Sequence, residues 1–282
     1  MTDSRAGGAV GLGRPAAGRV RILDCEIDNL DREEGLDRLL ALARGGRPGY
    51  AVTPNADHLM LLRRNPRFAD AYRDSDLRLA DGMPLLWAAR LQGTPLKEKL
   101  SGSDLLPLLC ARASEAGLGV YFLGGRPGAA AAAAERLAGL LPRLRIAGTA
   151  CPPPGFESDA AANDAIVAAV RSAAPDVLFV ALGAPKQEVW IHQHRHRLGV
   201  PLALGVGAAL DFLAGLVRRA PAWMQRRGLE WAWRAFQDPR LWRRYLVRDL
   251  PFVAYLLGLL VRRAAGLRRG AGEASHGLSM RS

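Results

Sequence analysis

A carboxylate and a glycine, Asp81 and Gly82, directly follow the apolar residues 77–80 and are the pair best suited to acid–base chemistry. A carboxylate at a strand tip can take a proton from an attacking hydroxyl group, and a glycine beside it lets a ligand approach the backbone. Transfer of a sugar to an alcohol needs such a base. The same carboxylate is explained more simply as the cap of a helix beginning near Pro84, so both interpretations stay open.

Two other predicted strand tips carry groups that suit sugar or phosphate binding. In residues 53–55 the Thr53 hydroxyl and the Asn55 amide can hold a sugar hydroxyl or a phosphate oxygen; an ordinary turn with Asn55 as a helix cap fits equally well. Gly124 and Gly125 open a glycine-rich turn before a helix, where backbone N–H groups can face a phosphate. The turn matches neither GxGxxG nor a P-loop, so a plain tight turn is the alternative.

The tips of the last two predicted strands are also polar and rich in glycine. Lys186 can meet a diphosphate, and Gln187 can hold the acceptor or the sugar. Asp211 can accept hydrogen bonds from a ribose or a base, or it is simply a polar residue at a helix start. The candidate residues for a nucleotide-sugar on these two tips are Gly183, Lys186, Gly205, Gly207 and Asp211.

Three histidines, His192, His194 and His196, raise the question of a metal site. On a helix only His192 and His196 share a face, and no acidic ligand accompanies them, so we interpret them as surface residues. The three cysteines lie far apart, which argues against a zinc knuckle or a disulfide framework. We therefore expect no cofactor and a metal-independent reaction, in which positive side chains and helix N-termini stabilise the leaving group.

Apolar runs that alternate with helical patterns position these tips, and such alternation is typical of a parallel sheet covered by helices on both faces. We predict a Rossmann-like, mostly parallel α/β domain over residues 19–215, after a disordered N-terminus at 1–18. Ligands of such sheets bind at the carboxyl ends of the strands, near a reversal of strand order. The polar tips are therefore expected to form one site.

The predicted helix over residues 103–116 has Ser103 as its N-cap. The strands are predicted at residues 20–23, 50–53, 77–80, 119–123, 145–147, 177–182 and 201–206. The other helices are predicted at residues 31–44, 56–73 with a break near Pro66, 84–91, 129–141, 159–173, from 185 onward, 221–236 and 240–267.

The C-terminal part of the chain differs from the rest in charge. Residues 218–269 hold 13 basic and 3 acidic side chains, a net +10, whereas residues 1–217 carry a net +2. Four of the six tryptophans also lie in this part. Tryptophan and arginine beside apolar residues are typical of a helix at a membrane interface. We predict a membrane-surface appendage at residues 216–269 and a disordered tail at 270–282.

No apolar run reaches the roughly 18 residues that a transmembrane helix needs, and the longest, residues 250–261, contains Pro251. No apolar signal segment is visible, so we expect a cytoplasmic protein, peripheral on the inner face of the membrane. A basic segment attracts phosphates, and we favour anionic lipid and a diphosphate substrate over nucleic acid. A helical pair with a solvated basic face is the simpler alternative. The apolar surface also suits a homo-oligomer.

Taken in order, these segments resemble the WecG/TagA/CpsF glycosyltransferases over about residues 22–244. Each motif is weak alone, but seven in this order at plausible spacing are not expected by chance. The motifs that carry the resemblance are residues 53–57, 79–82, 102–105, 122–125, 183–188, 219–221 and 229–231.

The resemblance implies an inverting glycosyltransferase that moves a sugar from a UDP-sugar to a polyprenyl-diphosphate-linked sugar in teichoic acid, common-antigen, capsule or exopolysaccharide synthesis. The donor sugar is left open among N-acetylmannosamine, its uronic acid and glucose. The family's base corresponds to Asp81, and Thr53, Asn55 and Gln187 correspond to residues that position the sugars. Lys99 stands where the family has an arginine that contacts diphosphate or sugar, and it lacks the bidentate fork. The family's appendage arginines correspond to Arg234, Arg240, Arg243 and Arg244.

Two rival functions make different predictions. A Rossmann-type sugar-nucleotide oxidoreductase needs GxGxxG after its first strand, whereas residues 24–26 of this chain are Asp-Cys-Glu. A non-catalytic membrane scaffold needs only the basic appendage, so that loss of the Asp81 carboxylate leaves it unaffected. The favoured reaction is a single displacement in which Asp81 activates the acceptor hydroxyl.

Overall fold

The strands form two separate sheets. The computed structural model describes residues 18–237 and 250–279. An antiparallel hairpin comprises β1 (Arg19–Ile22) and β2 (Cys25–Asp28). A parallel sheet of six strands has the order β4-β3-β8-β7-β5-β6. Its strands are β3 (Gly49–Val52), β4 (Leu77–Arg78), β5 (Gly119–Gly124), β6 (Arg145–Ala150), β7 (Val177–Ala181) and β8 (Leu202–Gly205).

The interior strands of the parallel sheet are apolar along their whole length because helices cover both faces. Every residue of β3, β5, β7 and β8 is buried, whereas the edge strand β6 is largely half-buried or exposed. A strand with one covered face would alternate apolar and polar residues instead. The predicted α/β fold with a parallel sheet is confirmed.

The connections between strands reverse direction at two places in the sheet. From β3 the chain moves outward to β4, whereas β8, the other neighbour of β3, is reached from β7. Likewise β5 leads outward to β6 at the other edge, whereas its neighbour β7 leads back to β8. The pairs β3/β8 and β5/β7 are therefore switch points, where the loops beyond the strands diverge and leave a crevice.

The first predicted strand does not join the parallel sheet, which corrects the assignment of residues 20–23 to the Rossmann-like unit. Only Leu23 and Asp24 separate β1 from β2, too short a link for a crossover to a parallel neighbour. The hairpin buries Ile22 and Ile27. Asp28 Oδ2 accepts a hydrogen bond from the Arg78 N–H of β4 at 2.8 Å, which ties the hairpin to the edge of the sheet.

Nine helices precede the C-terminal segment within the described residues. The break predicted near Pro66 is confirmed, since Asn65 caps the second half and Pro66 is its first residue. The helices are α1 (Arg32–Arg44), α2 (Ala56–Leu62), α3 (Pro66–Arg73), α4 (Met83–Leu91), α5 (Gly102–Ala116), α6 (Ala129–Leu140), α7 (Ala160–Ala173), α8 (Lys186–Leu198) and α9 (Ala209–Leu213), with a 3-10 turn at Phe156–Ser158.

The core consists of two apolar layers, one on each face of the parallel sheet. Tyr50, Phe68 and Trp190 fill the layer under α2, α3 and α8. Phe122 and Phe179, on the neighbouring strands β5 and β7, stack in the other layer with ring centroids 5.6 Å apart. Because both faces are filled, only the ends of the strands are open to a ligand.

The segment predicted as one helix over residues 221–236 is two short helices, α10 (Ala222–Arg226) and α11 (Glu230–Gln237). Gly228 separates them with a φ of +70°, a conformation that favours glycine. A Cβ on Gly228 would lie 2.9 Å from Met83 Cβ and from the Trp87 ring, so the turn is pressed against α4. The helix ends here because the backbone must approach α4 this closely.

The last helix, α12 (Leu250–Ser279), packs on α2 and α4. Phe252 is buried, and Tyr255 Oη accepts a hydrogen bond from Gln92 Nε2 at 2.8 Å. The helix includes residues 270–279, for which disorder was predicted, and residues 238–249 lie outside the described part. Among the helices described, α12 included, none is both long enough and apolar enough to cross a membrane.

The N-cap of α5 is Ser101, and not Ser103 as the sequence suggested. Ser101 is buried, and its Oγ accepts the Asp104 N–H at 3.3 Å and donates to Asp104 Oδ2 at 2.6 Å. Ser103 is already in the first turn of the helix.

Replacement of the cap is therefore expected to destabilise the protein, whereas the neighbouring change is not. Ser101→Ala should lower the free energy of unfolding by about 1 kcal/mol, because the first turn loses its side-chain acceptor. Ser103→Ala should change it by less than about 0.5 kcal/mol. Urea unfolding of both variants measures the difference, and equal losses would contradict the assignment of the cap.

Candidate active site

A cleft of about 460 Å³ opens at the carboxyl ends of β3, β5, β7 and β8, over both switch points. Parallel pairing brings the tips of these strands to one edge, as the sequence predicted. The predicted site residues that line the cleft are Thr53, Asn55, Asp81, Gly125, Gly183, Gln187, Gly207 and Asp211. Four other predicted residues do not line it: Gly124, Gly205, Lys186 and Lys99.

Asp81 lies where this cleft meets a smaller one of about 180 Å³. Both clefts are lined by Asp81 and Asn55, and the smaller one continues between α4 and α11 to Trp231. The Asp81 N–H donates to Pro54 O at 2.8 Å, which holds the end of β4 against the end of β3. The N-cap of α4 is Gly82, and no side chain caps this helix. The N-cap position of α4 therefore belongs to Gly82 and not to Asp81.

The tip of β3 combines a buried hydroxyl with a capping amide. Thr53 is buried at the floor of the cleft. Asn55 Oδ1 accepts the His58 N–H at 3.0 Å, so the Asn55 side chain caps α2. The cap uses the carbonyl oxygen of the Asn55 amide. His58 also lines the cleft, and its Nδ1 lies 2.6 Å from the hydroxyl of the buried Tyr72. Thr53, Asn55 and His58 thus present one polar wall beside Asp81.

Asp211 supports the glycine-rich turn after β5. Its Oδ1 accepts the Arg126 N–H at 2.8 Å, and its Oδ2 lies 3.9 Å from Arg126 Nε. A Cβ on Gly125 would lie 3.2 Å from the same Oδ1 and 2.8 Å from Ala129 Cβ, so the carboxylate reaches the turn only because residue 125 has no side chain. Gly124 has a different role, since its Cα faces the Ala181 carbonyl of β7.

Gln187 is only 2 % exposed and joins two strand tips. Its Oε1 accepts the Gly183 N–H at 3.2 Å and the Gly207 N–H at 3.1 Å, and its Nε2 donates to Glu188 Oε1 at 2.8 Å. The amide thus spans the β7 and β8 tips from below the cleft.

Glu188, which is not among the predicted site residues, is fully buried under Gln187. Burial raises the pKa of Glu188 to about 7, although the hydrogen bond from Gln187 favours the charged form. An acidic residue in the first turn of a helix is so common that its position gave no signal of burial.

The two lysines predicted to meet phosphates have carboxylate partners. Lys186 is half-exposed and pairs with Glu157. The Lys99 side chain is 15 % exposed, with its Nζ 3.3 Å from Asp104 Oδ2 and 3.6 Å from Glu230 Oε2. Lys99 therefore lies inside a cluster that joins the start of α5 to α11.

Arg219 completes this cluster with a second positive charge. Its Nη2 lies 2.6 Å from Asp104 Oδ1 without the alignment of a hydrogen bond, and its Nε lies 3.6 Å from Glu230 Oε1. Burial alone would raise the pKa of Asp104, but the Ser101 hydrogen bond and the charges of Lys99 and Arg219 outweigh burial and lower it. Lys99, Asp104, Arg219 and Glu230 are called the charge cluster below.

Of the four predicted appendage arginines, Arg234 lies in α11, and nothing is described of its side chain. Arg240, Arg243 and Arg244 lie outside the described residues. In residues 18–237 and 250–279 no three His, Cys, Asp or Glu side chains are grouped as a metal site requires.

An Asp-x-Asp sequence, residues 74–76, precedes β4 and so lies at the edge of the sheet opposite the cleft. Both of its carboxylates are engaged, Asp74 with His192 and Asp76 with the Tyr50 N–H. His192 Nε2 lies 2.8 Å from Asp74 Oδ2, so this histidine is hydrogen-bonded at the edge away from the cleft.

The sequence profile described as "Glycosyl transferase WecG/TagA/CpsF family" matches residues 20–266. The chain belongs to this family. The family resemblance seen in the motifs is confirmed, and the chain is a glycosyltransferase.

Two relatives within the family carry the same name. One, from Bacillus spizizenii, is an N-acetylglucosaminyldiphosphoundecaprenol N-acetyl-beta-D-mannosaminyltransferase, 32 % identical over 197 residues that cover 70 % of this chain and 74 % of the relative. The other, from Bacillus subtilis, is 30 % identical over 179 residues that cover 64 % of this chain and 68 % of the relative.

The raised pKa of Glu188 predicts a pH dependence of stability. The reference pKa of a free glutamate is 4.5, so between about pH 4.5 and 7 the folded protein keeps a proton that the unfolded chain has lost. The contribution of this group to the free energy of unfolding therefore falls by up to about 3 kcal/mol as the pH rises through that range. Above about pH 7 the contribution no longer changes. Glu188→Gln has no proton to lose and should remove this dependence. The variant should gain stability over the wild type as the pH rises from about 5 to 8 in denaturant titrations; a constant difference would contradict the shift.

Proposed function

We propose that this glycosyltransferase moves a sugar from a UDP-sugar to a polyprenyl-diphosphate-linked saccharide during the assembly of a cell-surface polysaccharide. The observation that carries the proposal is the position of Asp81 at the junction of the two clefts. A base there can take the proton of an acceptor hydroxyl in the smaller cleft while that hydroxyl attacks an anomeric carbon in the larger one. One displacement of this kind inverts the anomeric configuration.

The larger cleft suits the nucleotide-sugar. The tips of four strands and the N-terminus of α8 meet there, and backbone N–H groups at such a place favour a diphosphate. Asp211 lines the larger cleft but not the smaller one. Its carboxylate is the candidate acceptor of hydrogen bonds from the ribose or the base. Thr53 and Asn55 face the sugar beside Asp81. The backbone N–H groups and the N-terminus of α8 would stabilise the leaving UDP without a metal ion, so activity is expected to persist in EDTA.

The smaller cleft suits the lipid-linked acceptor. It opens between α4 and the α10–α11 turn, and its walls include Met83, Pro84 and Trp231 as well as Glu230. Sugar rings pack on such aromatic and apolar walls, while carboxylates accept their hydroxyl groups. The acceptor named in the two Bacillus relatives is an N-acetylglucosaminyl-diphosphoundecaprenol. By analogy with those names, N-acetylmannosamine is the first donor sugar to test here, ahead of its uronic acid and glucose.

The C-terminal helices suit attachment to the membrane that holds such an acceptor. Large apolar side chains on them face outward beside arginines, among them Trp223, Trp231, Phe236, Leu250, Val253, Leu257, Leu260 and Val261. Such a surface lies at the level of lipid head groups, with its apolar side chains inserted. The smaller cleft, bordered by α11, would then face the lipid-linked sugar, with the protein on the cytoplasmic face.

Loss of the proposed base should abolish transfer without weakening donor binding. Asp81→Asn is expected to lower kcat by roughly 10²- to 10⁴-fold, the range of general-base catalysis, and to change the Kd of UDP little. The measurement is UDP release from a panel of UDP-sugars with a synthetic polyprenyl-diphosphate-N-acetylglucosamine. Asp70→Asn, on the exposed side of α3, is the matched control. Turnover that survives Asp81→Asn would place the base elsewhere.

Charges placed on the outer face of α12 should release the protein from membranes. Leu257→Glu with Leu260→Glu is expected to lower binding to phosphatidylglycerol vesicles by at least about 10-fold, because two apolar contacts become anionic. Vesicle sedimentation measures the effect. Leu140→Glu, on the exposed face of α6, carries the same change away from the appendage and should bind as the wild type does. Equal binding by all three proteins would contradict attachment through α12.

A further inference from the structure

The Gln187 amide is a buried bridge whose orientation matters. Its carbonyl oxygen accepts two N–H groups, one from Gly183 after β7 and one from Gly207 after β8. These two glycines lie at adjacent strand tips on the floor of the larger cleft. If the amide turned over, its NH2 group would face both N–H donors, and neither tip would be held.

Glu188 decides which way the amide faces. Its Oε1 accepts the Gln187 N–H at 2.8 Å, and a carboxyl oxygen at that place requires the NH2 end of the amide. The space around the amide is also fixed by Gly205, because a Cβ there would lie 2.8 Å from Gln187 Nε2. The bridge therefore has one arrangement that satisfies all of its donors and acceptors.

We propose that Glu188 is a positioning residue for sugar transfer, which acts through Gln187 to hold the Gly183 and Gly207 tips in the geometry that receives the donor diphosphate. Glu188 is fully buried and lies outside the residues that line the cleft, so it does not meet the substrate itself. The assignment of a role in transfer rests on the proposed function. The bridge itself rests only on the contacts given above.

Four variants separate the bridge from a general need for a buried side chain. Glu188→Leu fills the space but removes the acceptor. Glu188→Gln keeps an acceptor in its own carbonyl oxygen. Gln187→Glu places two carboxyl groups against each other. The double variant Gln187→Glu/Glu188→Gln restores the hydrogen bond between residues 187 and 188 with donor and acceptor exchanged. In the double variant a carboxyl oxygen of residue 187 still accepts the N–H groups of Gly183 and Gly207.

The kinetic result expected is a loss that the double variant reverses. With the donor of highest turnover, kcat/KM should fall about 10- to 100-fold in Glu188→Leu and Gln187→Glu, as expected where a buried hydrogen-bonding group is left unsatisfied. Glu188→Gln should lose far less, and the double variant should recover most of the Gln187→Glu loss, a non-additivity expected of residues in contact. Thermal unfolding should not follow this order, because a buried leucine avoids the cost of burying an ionisable side chain.

Amide hydrogen exchange at Gly183 and Gly207 tests the bridge without any substrate. Exchange should be faster in Glu188→Leu and Gln187→Glu and slow again in the double variant. Full activity with unchanged exchange in Glu188→Leu, no recovery in the double variant, or activity that simply follows the melting temperature would each overturn the proposal. If the wild type transfers no sugar while exchange behaves as expected, it is the proposed function that fails and the bridge that stands.

Discussion

Parallel pairing fixes the direction of every strand in the central sheet, and the site depends on that constraint more than on any single contact. Each crossover returns the chain to the same edge, so the residues that follow β3, β4, β5, β7 and β8 meet although Thr53 and Gly207 are 154 positions apart in sequence. The two reversals of strand order then part the loops and leave the cleft open. Asp81 needs no strained backbone of its own to reach the site, since the Pro54 carbonyl of the neighbouring tip holds its N–H.

Convergence alone would leave five mobile loops, and buried polar contacts hold them in register. Asp211 holds the turn after β5, and Gln187 joins the tips of β7 and β8. Each of these contacts needs a glycine beside it. A Cβ on Gly125 would crowd the Asp211 carboxylate, and a Cβ on Gly205 would crowd the Gln187 amide. The glycines at the strand tips thus do two things: Gly183 and Gly207 border the open cleft, and Gly125 and Gly205 leave room for the polar side chains that fix the loops.

The parts of the fold that sequence patterns predicted are those set by local periodicity. Continuous apolar runs identified the parallel sheet, and Pro66 identified the break between α2 and α3. Two predictions were wrong because one signal fits two structures. The four residues of β1 suit a strand of either sheet, and Ser103 suits an N-cap although the cap is the serine two residues earlier. At the site, the motifs named the lining residues, but spacing did not separate a cap from a base at Asp81. Burial decides the roles of Gln187, Glu188 and Lys99, and a single sequence does not report burial of polar groups.

The charge cluster shows how a strongly basic appendage can lie beside the site proposed to bind diphosphates. Glu230 is one of only three acidic residues in the stretch 218–269, and it faces Lys99 and Arg219, while Asp104 supplies the second negative charge. Two positive and two negative side chains give the cluster no net charge. It therefore attaches α11 to the domain, and the outward-facing arginines of the appendage are not needed for this contact. Its members are largely shielded from water, and charges so placed are screened by salt much less than exposed ones. Salt that weakens attraction to an anionic membrane should therefore leave α11, and with it the wall of the smaller cleft, in place.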